Sequence, residues 1–397
     1  MGIRLEATIR ALEEHATVTL LELRPVASPA PDSIMASAAA PVSRASVPLS
    51  GPPSTAWRKA QRILDPDAFL SFPDVRAGAG DALSAAVESV GPDAIHLHHP
   101  YPLANLLTRW PRCTAEAPLP WSLVIDMVDV MSATRKEQMS TRSRGPVLTR
   151  IIQHAEYLKL RRLERRFARI ATALVVSTEA EKVRARHLDR GDINVVPNTV
   201  DCERWRPPTP GEATSSDDGP LLMTGDFAHG INSDGGRFFL DKVWPILRRM
   251  VPQARVWFAG GRPPADFAEA VADAGGEMFA SVDDTRPLLE KAAACIAPIT
   301  HGGGTPYKII EAMAMARPVV ATPAAVRGFV PHQPEGVIVA TTPEEFAASC
   351  ASLLKSPALR VRLGGRGREF VEQHHDHRTA ARLWTRLYLM VEHARRG

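Results

Sequence analysis

The segment 294–322 constrains this 397-residue chain more than any other. A-C-I-A-P at 294–298 and P-V-V-A-T at 318–322 are short apolar runs bounded by turn residues, the mark of buried strands. Between them runs H-G-G-G-T-P-Y-K-I-I-E-A-M-A at 301–314, a glycine loop followed by a helix. Strand, turn, helix and second strand make a βαβ unit, which commits this region to a parallel sheet. Thr305 is expected to cap the helix and Pro306 to take its first position, where no amide donor is required. Ile309, Ile310 and Met313 recur at helical spacing and face the sheet. Arg317-Pro318 ends the helix.

This unit implies a chemistry. The first-turn amides of the helix and those of Gly302, Gly303 and Gly304 form an anion site at the carboxyl edge of a parallel sheet. Lys308 adds a full positive charge, and Glu311, three residues on, shares its face. Such a set fits a nucleoside diphosphate sugar: amides and lysine hold the phosphates, and the carboxylate holds ribose hydroxyls. The plainer alternative is a glycine-rich turn with a surface Lys–Glu pair, because three adjacent glycines are a weak signal alone.

The chain is long enough for two domains, and its 45% hydrophobic and 23% charged residues describe an ordinary globular protein. A net charge of +4 suits an anionic ligand or membrane surface without requiring either. No apolar run approaches the roughly 20 residues that span a bilayer, and no secretion signal is visible. Cys113, Cys202, Cys295 and Cys350 form no C-x-x-C pair, so a zinc site or disulfide framework is not expected and a reducing cytoplasm is the default.

Residues 2–14 read as a helix and 17–23 as a strand. An α/β domain normally opens on a strand and a glycine turn. Here that first strand lies upstream of Met1, or the domain is built without it. Residues 25–53, rich in Pro, Ala and Ser, read as a long loop or lid. A helix is expected around 80–90. A-I-H-L-H at 94–98 is a strand with His98 at its carboxyl end, where ligand crevices lie in open α/β sheets. His96 and His98 share one strand face, but the sequence offers them no third partner, so no metal site is expected. W-S-L-V-I-D-M-V-D-V at 121–130 is a further strand. Asp129 falls at its end, either in the crevice or as a cap on the next helix. The helix 146–170 carries Arg150, Arg161, Arg162, Arg165, Arg166 and Arg169 beside an expected apolar stripe of Ile151, Ala155, Leu158, Phe167 and Ile170. Either it lies on anionic lipid, or it is a solvated face with Glu164 as local counter-charge. Residues 207–220 read as a linker. A second α/β series follows, with strands at 221–225, 255–259, 277–280, 294–298, 318–322 and 336–340, and a final helix at 376–395.

V-V-P-N-T-V-D at 195–201 is similar to the interdomain segment V-P-N-G-V-D of family-4 glycosyltransferases. T-G-D-F at 224–227, Asn232 and Trp244-Pro245 resemble the opening of that family's donor domain. Residues 302–314 with 318–322 resemble its signature G-G-G-T-x-x-K-x-x-E-A-M-A-x-G-x-P-V-V-A-T. D-x-x-D-V-x-S from Asp126, and S-R-G-P before the arginine-rich helix, resemble a bacterial exopolysaccharide subgroup. The resemblance covers roughly residues 2–371. It implies an α/β, GT-B chain of two Rossmann-like domains facing across a cleft. Residues 1–203 would be the acceptor side, 204–375 the nucleotide-sugar domain, and 376–397 a helix packing back on the first. Carried over, Gly225, Asn232, His301, Gly302, Gly303, Gly304, Thr305, Lys308 and Glu311 would hold the donor. His98 and Asp129 would act with Glu311 on the transferred sugar or acceptor. The chain departs from the family at Gly303 and Val128, where a Glu and a His are usual, and after the first donor-domain strand, where Asp226 and Asn232 stand in place of Arg and Lys.

The expected function is a metal-independent, retaining transfer of a hexose-type sugar from a nucleoside diphosphate donor. The acceptor would be a glycan, a lipid-linked glycan or a small molecule, with no further cofactor and no nucleic acid. The place would be the cytoplasm, with the helix 146–170 offering contact to the inner face of an anionic membrane. A nucleotide-binding pseudoenzyme or partner subunit is the alternative, and an epimerase a weaker third.

Overall fold

The computed structural model describes residues 4, 8, 9, 19–24, 43–48, 79–101, 104, 121–141, 147–207, 219–302, 304–329 and 332–396. The chain divides into two compact units, Met1–Val196 with Ala380–Gly397, and Pro197–Thr379. Most of the linker expected at 207–220, Gly303 and most of the expected helix 2–14 lie outside the described residues.

In the first unit, β1 (Thr19–Arg24) pairs in parallel with β2 (Ser43–Pro48). Part of the 25–53 segment expected as loop is therefore strand: extended backbone recovers its hydrogen bonds by pairing, which composition alone does not reveal. After α1 (Ala79–Val90) come β3 (Ala94–His98), β4 (Ser122–Val128), α2 (Met131–Thr141), α3 (Val147–Ile170), β5 (Ala173–Val176), α4 (Glu179–Arg184) and β6 (Ile193–Val195). These four strands form a parallel sheet in the order β3-β4-β5-β6. Strand β4 is apolar on both faces, as a strand covered on both sides must be. Leu123, Ile125 and Met127 pack with Leu160, Leu163 and Phe167 of α3. Val124 and Val175 pack with Trp384, Leu387 and Val391 of α13 (His377–Arg396).

The arginine-rich helix keeps the expected Phe167 in the core, but its first half is rotated from the expected stripe. Ile151 and Leu158 are 58% and 52% exposed, while Glu156, Lys159 and Glu164 are buried. Glu164 is not a surface counter-charge. It accepts from Tyr101 Oη (3.0 Å), Ser132 N (2.9 Å), Ser132 Oγ (2.5 Å) and His187 Nε2 (3.0 Å), and so caps the start of α2. A buried carboxylate with four donors satisfies the rule that interior charge is paired, which explains the rotation.

Among its described residues the second unit holds six parallel strands, β7 (Leu221–Thr224), β8 (Val256–Gly260), β9 (Glu277–Ala280), β10 (Ala294–Ala297), β11 (Val319–Ala321) and β12 (Val337–Val339), at the expected places. Their spatial order is β12-β11-β10-β7-β8-β9. It reverses direction between β7 and β10, so the switch point, where open α/β sheets take ligands, lies beyond the carboxyl ends of those two strands. One face of the sheet packs Met223, Phe258 and Ile296 with Phe239, Leu247 and Phe346. These last come from the helical run α5 (Gly230–Phe238), a π turn (Phe239–Val243) and α6 (Trp244–Met250), and from α11 (Pro343–Lys355). The other face packs Leu222, Cys295 and Val319 with Ile309, Ile310 and Met313 of α9 (Tyr307–Ala314), and with Phe370 and Val371 of α12 (Pro357–His374). The shorter helices α7 (Ala265–Asp273), α8 (Arg286–Lys291) and α10 (Pro323–Val326) complete the crossovers. Cys202, Cys295 and Cys350 are buried and free. Among the described residues, no helix is long and apolar enough to cross a membrane.

Candidate functional site

At the switch point of the second unit, three expected residues meet. Lys308 Nζ donates to Asn232 Oδ1 at 2.7 Å. Asn232 Nδ2 donates to the Asp226 carbonyl at 2.8 Å. A Cβ added to Gly225, whose φ is +156°, would lie 3.0 Å from Asn232 Nδ2 and 3.1 Å from Lys308 Nζ. Glycine at 225 thus leaves room for the amide and ammonium side chains beside the strand end.

The glycine loop lies at the end of the neighbouring strand β10. Gly302 and Gly304 have φ of +114° and +74°, the left-handed region that side chains resist. The Gly302 carbonyl accepts from Arg327 NH1 at 3.3 Å, a cation that sequence reasoning missed. A Cβ on Gly328 would lie 2.1 Å from the Gly304 carbonyl oxygen, so the segment after β11 supports the loop at backbone distance. His301 is half-buried, its Nδ1 3.1 Å from Thr300 Oγ1.

One expectation at this helix start is corrected. Helix α9 begins at Tyr307 with Pro306 as its cap residue, so Thr305 is not the N-cap. The Thr305 hydroxyl donates to the Gly328 carbonyl (3.3 Å), and its own carbonyl accepts from Asn198 Nδ2 (3.0 Å). Tertiary partners on both sides outcompete the local capping bond. Asn198, from V-P-N-T-V-D, also accepts from Tyr307 Oη at 3.3 Å, so this motif sets the position of the helix start. No side chain caps α9, and its Ile309 amide donates to the Pro306 carbonyl at 3.0 Å.

Burial draws the Lys308 ammonium down to about 7, with Glu311 opposing the change. Burial raises Glu311 to about 7, with Lys308 opposing it. The two half-buried groups therefore stabilise each other's charged forms, as a shared helix face requires. Asp226, next to Gly225, pairs with Arg262 and with His229 (Nδ1 to Oδ2, 3.2 Å).

In the first unit, His98 and Asp129 stand at the carboxyl ends of adjacent strands β3 and β4. His98 Nδ1 lies 3.0 Å from Asp126 Oδ2. Asp126 is fully buried and takes a bidentate pair from Arg4, Nε to Oδ2 and NH2 to Oδ1, both 2.8 Å. Burial would raise the Asp126 carboxyl, but Arg4 and His98 overcome it and hold it well below the usual range. Sequence reasoning found no third group for the histidines. The structure supplies one, since single ligand atoms of His96, His98 and Asp126 lie within 4.8 Å of one another. Arg4 already engages both carboxylate oxygens, so this is a neutralised buried network more than a cation cage. Asp126 was visible in the sequence as a carboxylate on this strand, and an ionisable residue inside an apolar strand was the signal that could have given it a buried partner.

Asp129 follows a strained residue. Val128 has φ +62° and His99 φ +46°, left-handed values that a β-branched residue in particular avoids. The strand register shifts between Asp126 and Val128. Asp129 Oδ1 lies 3.4 Å from Ser177 Oγ, and burial raises its carboxyl. The amides of Val130 and Ser132 go to Glu181 (2.6 Å) and Glu164 (2.9 Å), so these bonds hold the start of α2 without Asp129. Burial also lifts Glu181 to about 7.

Residues 219–356 match the family model described as Glycosyl transferases group 1. No curated protein is matched in sequence. In structure the chain is similar to a sucrose-phosphate synthase from Thermosynechococcus elongatus, at 17% identity and TM-score 0.69 over 99% of this chain and 93% of that one. It is similar to Anabaena HepE, solved with UDP and glucose, at 13% and 0.67 over 98% and 95%. It is also similar to a glycosyltransferase from Rickettsia africae, at 12% and 0.61 over 98% and 94%. At such identities the likeness is one of fold, and with two α/β units of parallel sheet in one chain the protein has the GT-B fold of glycosyltransferases.

Proposed function

We propose that the chain is a retaining, metal-independent glycosyltransferase that moves a hexose-type sugar from a nucleoside diphosphate to a glycan, lipid-linked or small-molecule hydroxyl. The observation that carries this is the meeting of Gly225, Asn232, Lys308 and the glycine loop at the β7/β10 switch point. The match of 219–356 to the group 1 model supports it, as does the UDP and glucose held by HepE. As the bond from the sugar's anomeric carbon to phosphate breaks, its electron pair leaves on the diphosphate. Loop amides, the start of α9 and the Lys308 ammonium oppose that growing charge. The acceptor oxygen bonds to the same face of the carbon, and its proton passes to the departing phosphate oxygen. Glu311 holds the ribose, and His98 and Asp129 serve the sugar or acceptor. The reaction is read as cytoplasmic. Exposed Val147, Leu148 and Ile151 beside Arg150 support a peripheral contact with anionic lipid.

Incubation with UDP-, GDP- and ADP-linked sugars tests the reading. One donor should release its diphosphate slowly to water and faster with an acceptor, giving a product of unchanged anomeric configuration by NMR. Absence of release from every donor, or an inverted product, counts against it. Val128 favours a second reading. Its hydrocarbon side chain stands where the resembling family has a histidine, which suits a subunit that binds nucleotide without transferring sugar. Binding without release under any acceptor would select that alternative.

A further inference from the structure

The loop after β7 has no lysine or arginine of its own, and the neighbouring strand brings one. Arg262 lies two residues beyond β8, which pairs with β7 along its length. The strand ends touch as backbone: a Cβ on Gly260 would lie 1.9 Å from the Gly225 carbonyl oxygen, and Phe227 N donates to the Gly261 carbonyl at 2.9 Å. Across this contact the Arg262 guanidinium reaches Asp226. Asp226 in turn is tied through its carbonyl to Asn232, and Asn232 to Lys308. One chain of bonds thus links Arg262 to the ammonium at the glycine loop.

One feature separates Arg262 from an ordinary surface ion pair, and a second leaves it free to exchange. Its φ is +47°, a strained conformation of the kind that gathers at functional sites. The pair is also open to water, with side chains 71% and 31% exposed, so little holds the arginine on Asp226. Burial draws Lys308 down to about 7, so a second cation beside it would add to the charge met by a diphosphate. A guanidinium fork suits phosphate oxygens better than an ammonium does.

We propose that Arg262 is a donor-binding residue, exchanging Asp226 for the phosphate oxygens of a nucleoside diphosphate while His229 remains with Asp226. This rests on the donor reading given above. Calorimetric titration of wild type, Arg262→Gln, Asp226→Asn and the double variant with UDP, GDP and ADP tests it. The nucleotide that wild type binds should bind Arg262→Gln about tenfold more weakly, with a flatter salt dependence. Asp226→Asn should tighten binding about threefold, because the arginine no longer leaves a competitor, and most of that gain should vanish in the double variant. Unchanged affinity and salt dependence in Arg262→Gln, or an Asp226→Asn gain that survives in full without the arginine, overturns the assignment and leaves the donor reading standing. A wild type that binds none of the three nucleotides overturns both. The melting temperature of Arg262→Gln should stay at the wild-type value, which separates lost binding from lost fold.

Discussion

Lys308 Nζ donates to Asn232 Oδ1 at 2.7 Å, and this bond ties the first turns of α9 and α5 together. The two helices begin beyond adjacent strands, so one side-chain contact aligns two amide-bearing starts on one point. Lys308→Ala should weaken nucleoside diphosphate binding by about 1.5–3 kcal/mol, the range for a charge-assisted hydrogen bond. Its thermal stability should hold or rise slightly, because the ammonium is disfavoured by burial. Calorimetry and thermal melts on one preparation check both halves, and a stability loss that accompanies unchanged affinity would contradict them.

Donor affinity should peak near neutral pH. Diphosphate favours the Lys308 ammonium, whose free-protein pKa is about 7, so affinity is level below that value and falls above it. Glu311 titrates at about 7 and accepts ribose hydroxyls best when ionised, so its contribution falls as pH drops through that value. Glu311→Gln should abolish the acid limb and keep the alkaline one. Titrations from pH 5.5 to 9 measure this, and a monotonic wild-type profile would exclude opposed roles for the pair.

The two strand-end glycines should respond differently to alanine. At Gly260 the new Cβ meets the Gly225 carbonyl at 1.9 Å, and backbone must move. A loss of roughly 2–4 kcal/mol is expected, the scale of overpacking combined with backbone strain. At Gly225 the obstacles, at 3.0–3.1 Å, are side-chain ends of Asn232 and Lys308. Gly225→Ala should melt closer to wild type while losing nucleotide affinity. Denaturant unfolding with ligand titration separates the two cases.

Asp126→Asn should destabilise the first unit by about 3–5 kcal/mol, because it leaves the Arg4 guanidinium buried without its counter-charge. Arg4→Met combined with Asp126→Leu should cost less than Asp126→Asn alone. A double-mutant cycle read by chemical denaturation tests this, and additive losses would show that the two groups do not act as a pair.

The second unit was legible because its strands are short apolar runs separated by turn and helix signals, and because Gly302 and Lys308 belong to one local segment. Local reading also found Gly225, and the family resemblance brought in Asn232. It missed Arg262 and Arg327, whose approach depends on which strands become neighbours, a property of sheet order that no window of sequence carries. Thr305 was misread for the same reason: Gly328 and Asn198, distant in sequence, claim its polar groups. Glu164 was read as solvated because charge usually is. Its four donors come from three other segments, so only the assembled unit accounts for its burial.

The helix α13 completes the hydrophobic face of the first sheet, yet it is encoded after the whole second unit. On the ribosome, Val124 and Val175 are therefore made long before Trp384 arrives to cover them. The second unit has its six described strands by residue 339 and can consolidate while its predecessor still exposes that surface. Expression of the first segment without α13 would meet the same exposure permanently, so chaperone dependence and aggregation should concentrate on the earlier-synthesised half of the protein.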